Sequence, residues 1–248
     1  MTPPRVPEAS GRAVRVASLS PIVAGSPFST PRRGRGGILV ETGQLQSINA
    51  RIAGCHACAL ATGRTRTVPG DGDPNAELMF IGEGPGFYED QQGSPFVGRA
   101  GALLDELLAR IGMTRADVFV TNVVKCRPPN NRDPEPSEIA ACEPYLTEQI
   151  GGIRPKLIVT LGRFAMQYFV PGAAMGRSHG KVIQSGAHRV YPVYHPAAAL
   201  RQGALARVLR EDFDRIPALL ATSQRPAAQA TGAALAGRQD PAKQLSLL

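Results

Sequence analysis

The chain has 248 residues, of which 43% are hydrophobic and 5% aromatic, and it carries a formal net charge of +8. That is enough material for one sizeable core. No apolar run approaches the roughly 18 residues a membrane-spanning helix needs, so no membrane partner is expected. The first 40 residues contain no apolar segment ahead of a small-residue cleavage site, which predicts a cytoplasmic protein. The positive charge lies mostly in the tails: residues 1–40 carry a net +5, residues 221–248 a net +2, and residues 41–220 only +1. Net charge alone therefore does not identify a partner.

Residues 1–45 are rich in Pro, Gly, Ser and Arg and show no sustained period, as in PRRGRGG at 31–37. They are expected to form a disordered basic extension, because too little apolar surface is available to offset the entropy of ordering. Residues 46–221 are read as one domain, and residues 222–248 as a disordered linker ending in a short peptide.

Inside the domain, apolar runs alternate with helical patterns. ELMFIG at 77–82 reads as a buried strand, and 99–113 as a helix with Leu103, Leu104, Leu107, Leu108 and Ile111 on one face. DVFVTNVV at 117–124 is a second strand, followed by a helix from a Ser137 cap to about Ile150. KLIVTLG at 156–162 is a third strand, with a helix through Phe169 after it. VYPVYH at 190–195 is a fourth, and 204–221 closes the domain as an amphipathic helix. This alternation predicts a three-layer α/β/α sandwich around a mainly parallel sheet.

In such a sheet, ligands bind outside the carboxyl ends of the strands. The unusual polar residues fall there: GEGPG at 82–86, Asn122, Gly162 and His195-Pro196 each follow or end a strand. Taken singly, each has a bland reading as a tight turn, a core amide or a packed histidine. GEGPG lacks the Lys-Ser/Thr of a P-loop and the GxGxxG spacing of a dinucleotide fold. The shared placement is what makes a site.

The four cysteines are Cys55, Cys58, Cys126 and Cys142. Structural disulfides are disfavoured in a reducing compartment. CHAC at 55–58 precedes the first strand, whereas a thioredoxin-like pair opens a helix after one. Zinc and iron–sulfur remain. Thiolates from three separated places suit an iron–sulfur cube better than a ribbon of two close knuckles, and His56 is read as a bystander.

GEGPGFYEDQQGSPFVGRAG at 82–101, TNVVKCRPPNNRDP at 121–134 and YHPAAALR at 194–201, joined by the four cysteines, resemble the family 4 uracil-DNA glycosylases over about residues 44–221. The resemblance implies a four-stranded parallel sheet between helices and a [4Fe-4S] cluster on Cys55, Cys58, Cys126 and Cys142. It places the uracil-stacking aromatic on Phe96 and the uracil-reading amide on Asn122, with Gly82 and Gly84 beside the base. Its acidic positions fall on Glu83 and Glu89, and the last-motif histidine on His195.

These residue types suit the chemistry. A base inside a duplex must be flipped into a pocket before it is cut out. The Asn122 amide is able to accept from uracil N3–H and donate to O4, an arrangement that cytosine mismatches at about 1–3 kcal/mol per unpaired group. His195 is expected to donate to uracil O2 as charge develops there, and Glu83 or Glu89 to position water or face the sugar cation. Expected DNA contacts are Lys125, Arg127 and Arg132, then Arg177, His179 and Lys181, with Leu200 and Arg201 as a wedge filling the flipped base's place.

Three departures bear on this reading. PPNNRDP at 128–134 has no histidine of the kind that traps product covalently in a related branch, so ordinary turnover is expected. Glu83 stands where family 5 relatives carry a non-acidic residue. Phe87-Tyr88 replace the acids that often follow the first motif. The terminal Gln244-Leu245-Ser246-Leu247-Leu248 resembles a bacterial sliding-clamp-binding peptide with Leu for the final aromatic. A monomer is expected. The competing readings are a non-catalytic iron–sulfur DNA-binding module on the same fold and a zinc-stabilised nucleotide hydrolase.

Overall fold

The strand Leu78–Gly82 is buried at every position, because it lies in the middle of the sheet with apolar layers on both faces. The computed structural model of the chain describes residues 42–225; the peptide at 244–248 and nearly all of the 1–45 extension lie outside the described residues.

In chain order the helices and strands begin with α1 (Thr42–Ala53), α2 (Leu60–Gly63), β1 (Asp71–Gly72), β2 (Leu78–Gly82), α3 (Phe87–Gln92) and α4 (Arg99–Arg110). Then come β3 (Phe119–Asn122), α5 (Pro136–Ile153), β4 (Leu157–Leu161), α6 (Arg163–Phe169) and α7 (Met175–Ser178). The last are β5 (Ile183–Ser185), β6 (His188–Val193), α8 (Pro196–Ala199), α9 (Gly203–Asp214) and α10 (Ile216–Ala221). The sheet order is β1-β3-β2-β4-β6-β5, with the central β3, β2, β4 and β6 mutually parallel and the two edges antiparallel.

Alternation along β2 builds both cores. Leu78 and Phe80 point to one face, where Leu104, Leu107 and Leu108 of α4 and Phe213 of α9 cover them. Met79 and Ile81 point to the other, against Leu146 and Ile150 of α5 and Ala165 of α6. Phe80 and Phe213 stack with centroids 5.7 Å apart. This is the predicted three-layer α/β/α sandwich, with two short edge strands added to the four expected.

Several boundaries differ from expectation for identifiable reasons. α1 starts at Thr42, inside the stretch read as extension, and buries Ile48 and Ile52. Ser137 does not cap α5. Pro136 occupies the first turn, where its missing N–H costs nothing, and the Glu135 N–H donates to Glu138 at 2.8 Å. The helix expected over 204–221 is two helices meeting at Arg215, because Pro217 lacks the N–H that would continue the first.

Candidate active site

The loops after β2, β3 and β6 meet over one cavity of ≈480 Å³ at the carboxyl ends of the parallel strands. Its wall includes Glu83, Gly84, Glu89, Phe96, Asn122, Arg132, His195 and Arg201, drawn from all three sequence motifs. Asn122 ends β3 opposite Gly82 of β2 in the parallel register. Val123 N–H donates to the Gly82 carbonyl at 2.9 Å and Val124 N–H to the Glu83 carbonyl at 3.1 Å, so the two loops leave the sheet zipped together.

Phe96 is held in an unusual conformation. Its φ is +54°, a left-handed backbone that non-glycine residues seldom adopt. Three groups fix it. The Arg115 guanidinium donates to the Phe96 carbonyl at 2.9 Å. Glu89 Oε1 accepts from Val97 N–H at 3.0 Å and Gly98 N–H at 3.2 Å. Gly101 leaves the space the Phe96 carbonyl fills, since a Cβ there would lie 1.6 Å from that oxygen. The Phe96 ring then stacks with the His195 ring at a centroid distance of 5.7 Å.

His195 follows β6 and caps α8, its Nδ1 accepting the Ala197 N–H at 3.1 Å. An accepting Nδ1 carries no proton, so the neutral ring's N–H is on Nε2. Burial, helped by the Arg201 charge, pushes its pKa down to about 4, and the ring is neutral at physiological pH. Gly162, after β4, lies against it: a Cβ at that position would stand 3.0 Å from the His195 Cβ. Glu83 is shifted the other way. Burial and the nearby Asp133 carboxylate push it up to about 7, and Arg163 opposes them.

The expected DNA contacts divide. Lys125 is a correction: it is 1% exposed, with Nζ donating to Thr121 Oγ1 at 2.6 Å and to the Asn122 carbonyl at 2.7 Å. It braces the strand end that carries Asn122 and has no route to a DNA backbone. Arg132 lines the cavity while gripping buried Glu138 through two bonds of 2.8 and 2.6 Å. Arg127 donates to Asn131 at 2.7 Å. Arg177 and Lys181 are exposed, whereas His179 Nδ1 is paired with buried Asp212 at 2.9 Å. Leu200 is 42% exposed at the end of α8, beside Arg201 on the rim.

A second, smaller cavity is lined by all four cysteines together with Arg64, Lys125 and Tyr145. The sulfurs surround it without meeting at one point: among the described residues no three His, Cys, Asp or Glu side chains are grouped as a single ion requires. Donors aim at the sulfurs, with Arg64 Nη1 3.2 Å from Cys126 Sγ, Lys125 N–H 3.3 Å from Cys142 Sγ and Ala57 N–H 3.5 Å from Cys55 Sγ. Such donors suit thiolates that carry charge.

Sequence reasoning missed three contributors, Arg115, Arg64 and Asp90, and gave a fourth, Lys125, a different task. Arg115 and Lys125 act as braces, and Arg64 reaches a cysteine. Asp90, buried within α3, accepts from Thr65 N–H at 2.9 Å and so ties the cysteine loop to the first motif. Of the three missed, only Asp90 left a signal, an acid inside an otherwise recognisable motif.

A family model described as the Uracil DNA glycosylase superfamily matches residues 69–215. The chain is 47% identical to a type-4 uracil-DNA glycosylase of Sulfurisphaera tokodaii over 193 residues, 73% of this chain and 87% of that protein. It is also 47% identical to one of Saccharolobus solfataricus over 188 residues, 72% of this chain and 87% of that protein. A type-5 uracil-DNA glycosylase of Pyrobaculum aerophilum is 34% identical over 169 residues, 58% of this chain and 74% of that protein. The chain belongs to the uracil-DNA glycosylase superfamily, where it stands with the type-4 enzymes.

Proposed function

We infer that this chain is a DNA-repair hydrolase that flips uracil out of DNA and cleaves its N-glycosidic bond, leaving an abasic site. The observation that carries the reading is the convergence of Phe96, Asn122, His195 and Glu83 on one cavity at the strand ends of a chain from this superfamily. The inert DNA-binding alternative is not favoured, since it gives a neutral histidine and an elevated acid in the same cavity no task.

Phe96 stacks on the extruded base, and Asn122 pairs with its N3–H and O4. As the bond to the sugar breaks, electrons move onto the uracil and positive charge develops at C1′. Nε2–H of His195 donates to uracil O2; being neutral, the ring stabilises that charge without giving up its proton. Ionised Glu83 faces the sugar cation. Water adds its hydroxyl to C1′, and its proton ends on the departing uracil. Glu89 acts as a positioning residue, because its Oε1 is engaged with the backbone that presents Phe96. Arg127, Arg177, His179, Lys181 and Arg201 hold the DNA backbone, with Arg132 ordered by Glu138 at the cavity wall and Leu200 as the wedge.

The cysteine-lined cavity fits a [4Fe-4S] cluster, held by Cys55, Cys58, Cys126 and Cys142. When bound, the cluster supplies a cross-link between three distant segments rather than chemistry on the base. Lys125 joins the two sites, its backbone N–H on Cys142 and its side chain on the Asn122 carbonyl. The enzyme works as a monomer in the cytoplasm, where thiols stay reduced. Its 244–248 peptide docks on the sliding clamp; deleting it abolishes clamp binding and leaves excision from oligonucleotides intact, whereas unchanged clamp binding sinks that part.

The deciding assay incubates the protein with oligonucleotides carrying one uracil, thymine or cytosine and breaks abasic sites with alkali. Cleavage of the uracil strand alone supports the reading. No cleavage by protein that carries its cluster moves the function to binding.

A further inference from the structure

Among the described residues, the large apolar side chains left exposed are Phe87 at 51%, Tyr88 at 60%, Val97 at 37% and Leu200 at 42%. Exposed apolar residues on an ordinary surface are scattered singly. Here each adjoins the cavity wall in sequence. Phe87-Tyr88 stand between Gly86 and Glu89, Val97 follows Phe96, and Leu200 precedes Arg201. Leu200 already has a task as the wedge; the aromatic pair has none.

We propose that Phe87 and Tyr88 form a second base-binding surface, on which a base neighbouring the extruded uracil stacks when the DNA is single-stranded or locally unpaired. The proposal rests on the glycosylase reading of the adjoining cavity. The two rings meet edge to face, with centroids 5.4 Å apart and planes at 80°, and both side chains remain about half exposed. The Arg127 guanidinium lies 5.1 Å from the Phe87 ring centre and is itself held by Asn131. Rings interleaved with a cation match single-stranded nucleic acid, which offers bare base faces and a chain of phosphates. The same cation argues against a purely apolar partner. In a duplex, neighbouring bases cover those faces, so the surface has little to grip.

The test compares wild type, a Phe87→Ser/Tyr88→Ser double variant and a conservative Phe87→Tyr/Tyr88→Phe variant on one uracil placed in a single strand and in a duplex. The double variant is expected to raise KM on the single strand by on the order of 10-fold, the effect of losing one base–aromatic stack. Its kcat stays near wild type, its duplex KM changes less, and the conservative variant retains wild-type behaviour. Anisotropy of a labelled uracil-free single strand is read alongside and weakens with the double variant even if no uracil is released. A failed glycosylase reading is thereby told from a failed surface. Unchanged single-strand affinity overturns the proposal, including the case in which only sedimentation changes and the patch joins two copies of the chain. An equal loss on both DNA forms overturns it too.

Discussion

Gly82 and Asn122 face each other across the parallel β2–β3 pair, and a methyl group at Gly82 would stand 2.4 Å from the Asn122 side-chain oxygen and 2.7 Å from the Phe96 ring. The residue proposed to read the base and the ring proposed to stack on it thus share the space that one missing side chain leaves. Gly82→Ala is expected to displace both. It should cost about 1–3 kcal/mol of stability through overpacking and on the order of 100-fold in kcat/KM through misplacement. Excision kinetics beside a denaturation curve check this, and wild-type kinetics in a folded variant would contradict it.

Glu83 is expected to set the pH dependence. Its carboxyl is pushed up to about 7, so lowering the pH through that value protonates the group proposed to face the sugar cation. The single-turnover rate should rise with pH toward a plateau above about 7, and Glu83→Gln should give a lower, flat profile. His195, held down to about 4, adds no limb above pH 5 or so. The sign for stability is opposite. An acid raised by folding favours the native state below its ordinary 4.5, and that contribution is lost as pH rises through about 7. Glu83→Gln should therefore be more stable than wild type at pH 8.

Two substitutions separate the position of Phe96 from the fold beneath it. Gly101→Ala drives a methyl group into the Phe96 carbonyl and is expected to destabilise the protein by about 2–4 kcal/mol. Arg115→Ala removes the donor to the same carbonyl along with an ion pair to half-exposed Asp105, and should cost less, about 1 kcal/mol. Its kcat should nonetheless drop about 10-fold as the strained loop relaxes. Equal effects of the two variants on melting would contradict this division.

Cys142→Ser is expected to abolish the visible absorbance and iron content of anaerobically purified protein. The loss of the cross-link should lower the melting temperature by on the order of 10 °C. Retained iron would contradict the ligand set, and zinc in the wild type would contradict the cluster.

The four central strands were legible because short runs dominated by Val, Ile, Leu and Phe stand between turn residues, the mark of a sheet buried on both faces. The edge strands Asp71–Gly72 and Ile183–Ser185 are too short and too polar to leave that mark. The break at Arg215 was readable in Pro217, which the amphipathic pattern of 204–221 masked. At the site, the motif residues line one cavity as expected. What the residues did not disclose was direction. A lysine beside a basic motif looks like a DNA contact until the buried Thr121 hydroxyl takes its ammonium group. Glu89 looks like a second catalytic acid, whereas one of its oxygens accepts from two backbone N–H groups, a positioning task that its sequence does not show. Both depend on contacts across loops that no local pattern encodes.

In the proposed mechanism Asn122 and His195 act on one uracil in one cavity. The most direct test measures single-turnover release of uracil from an oligonucleotide by wild type, Asn122→Ala, His195→Ala and the double variant. Each single change is expected to slow release by at least about 100-fold while the protein stays folded, in line with losing one preorganised donor. Wild-type release rates in either single variant would contradict it.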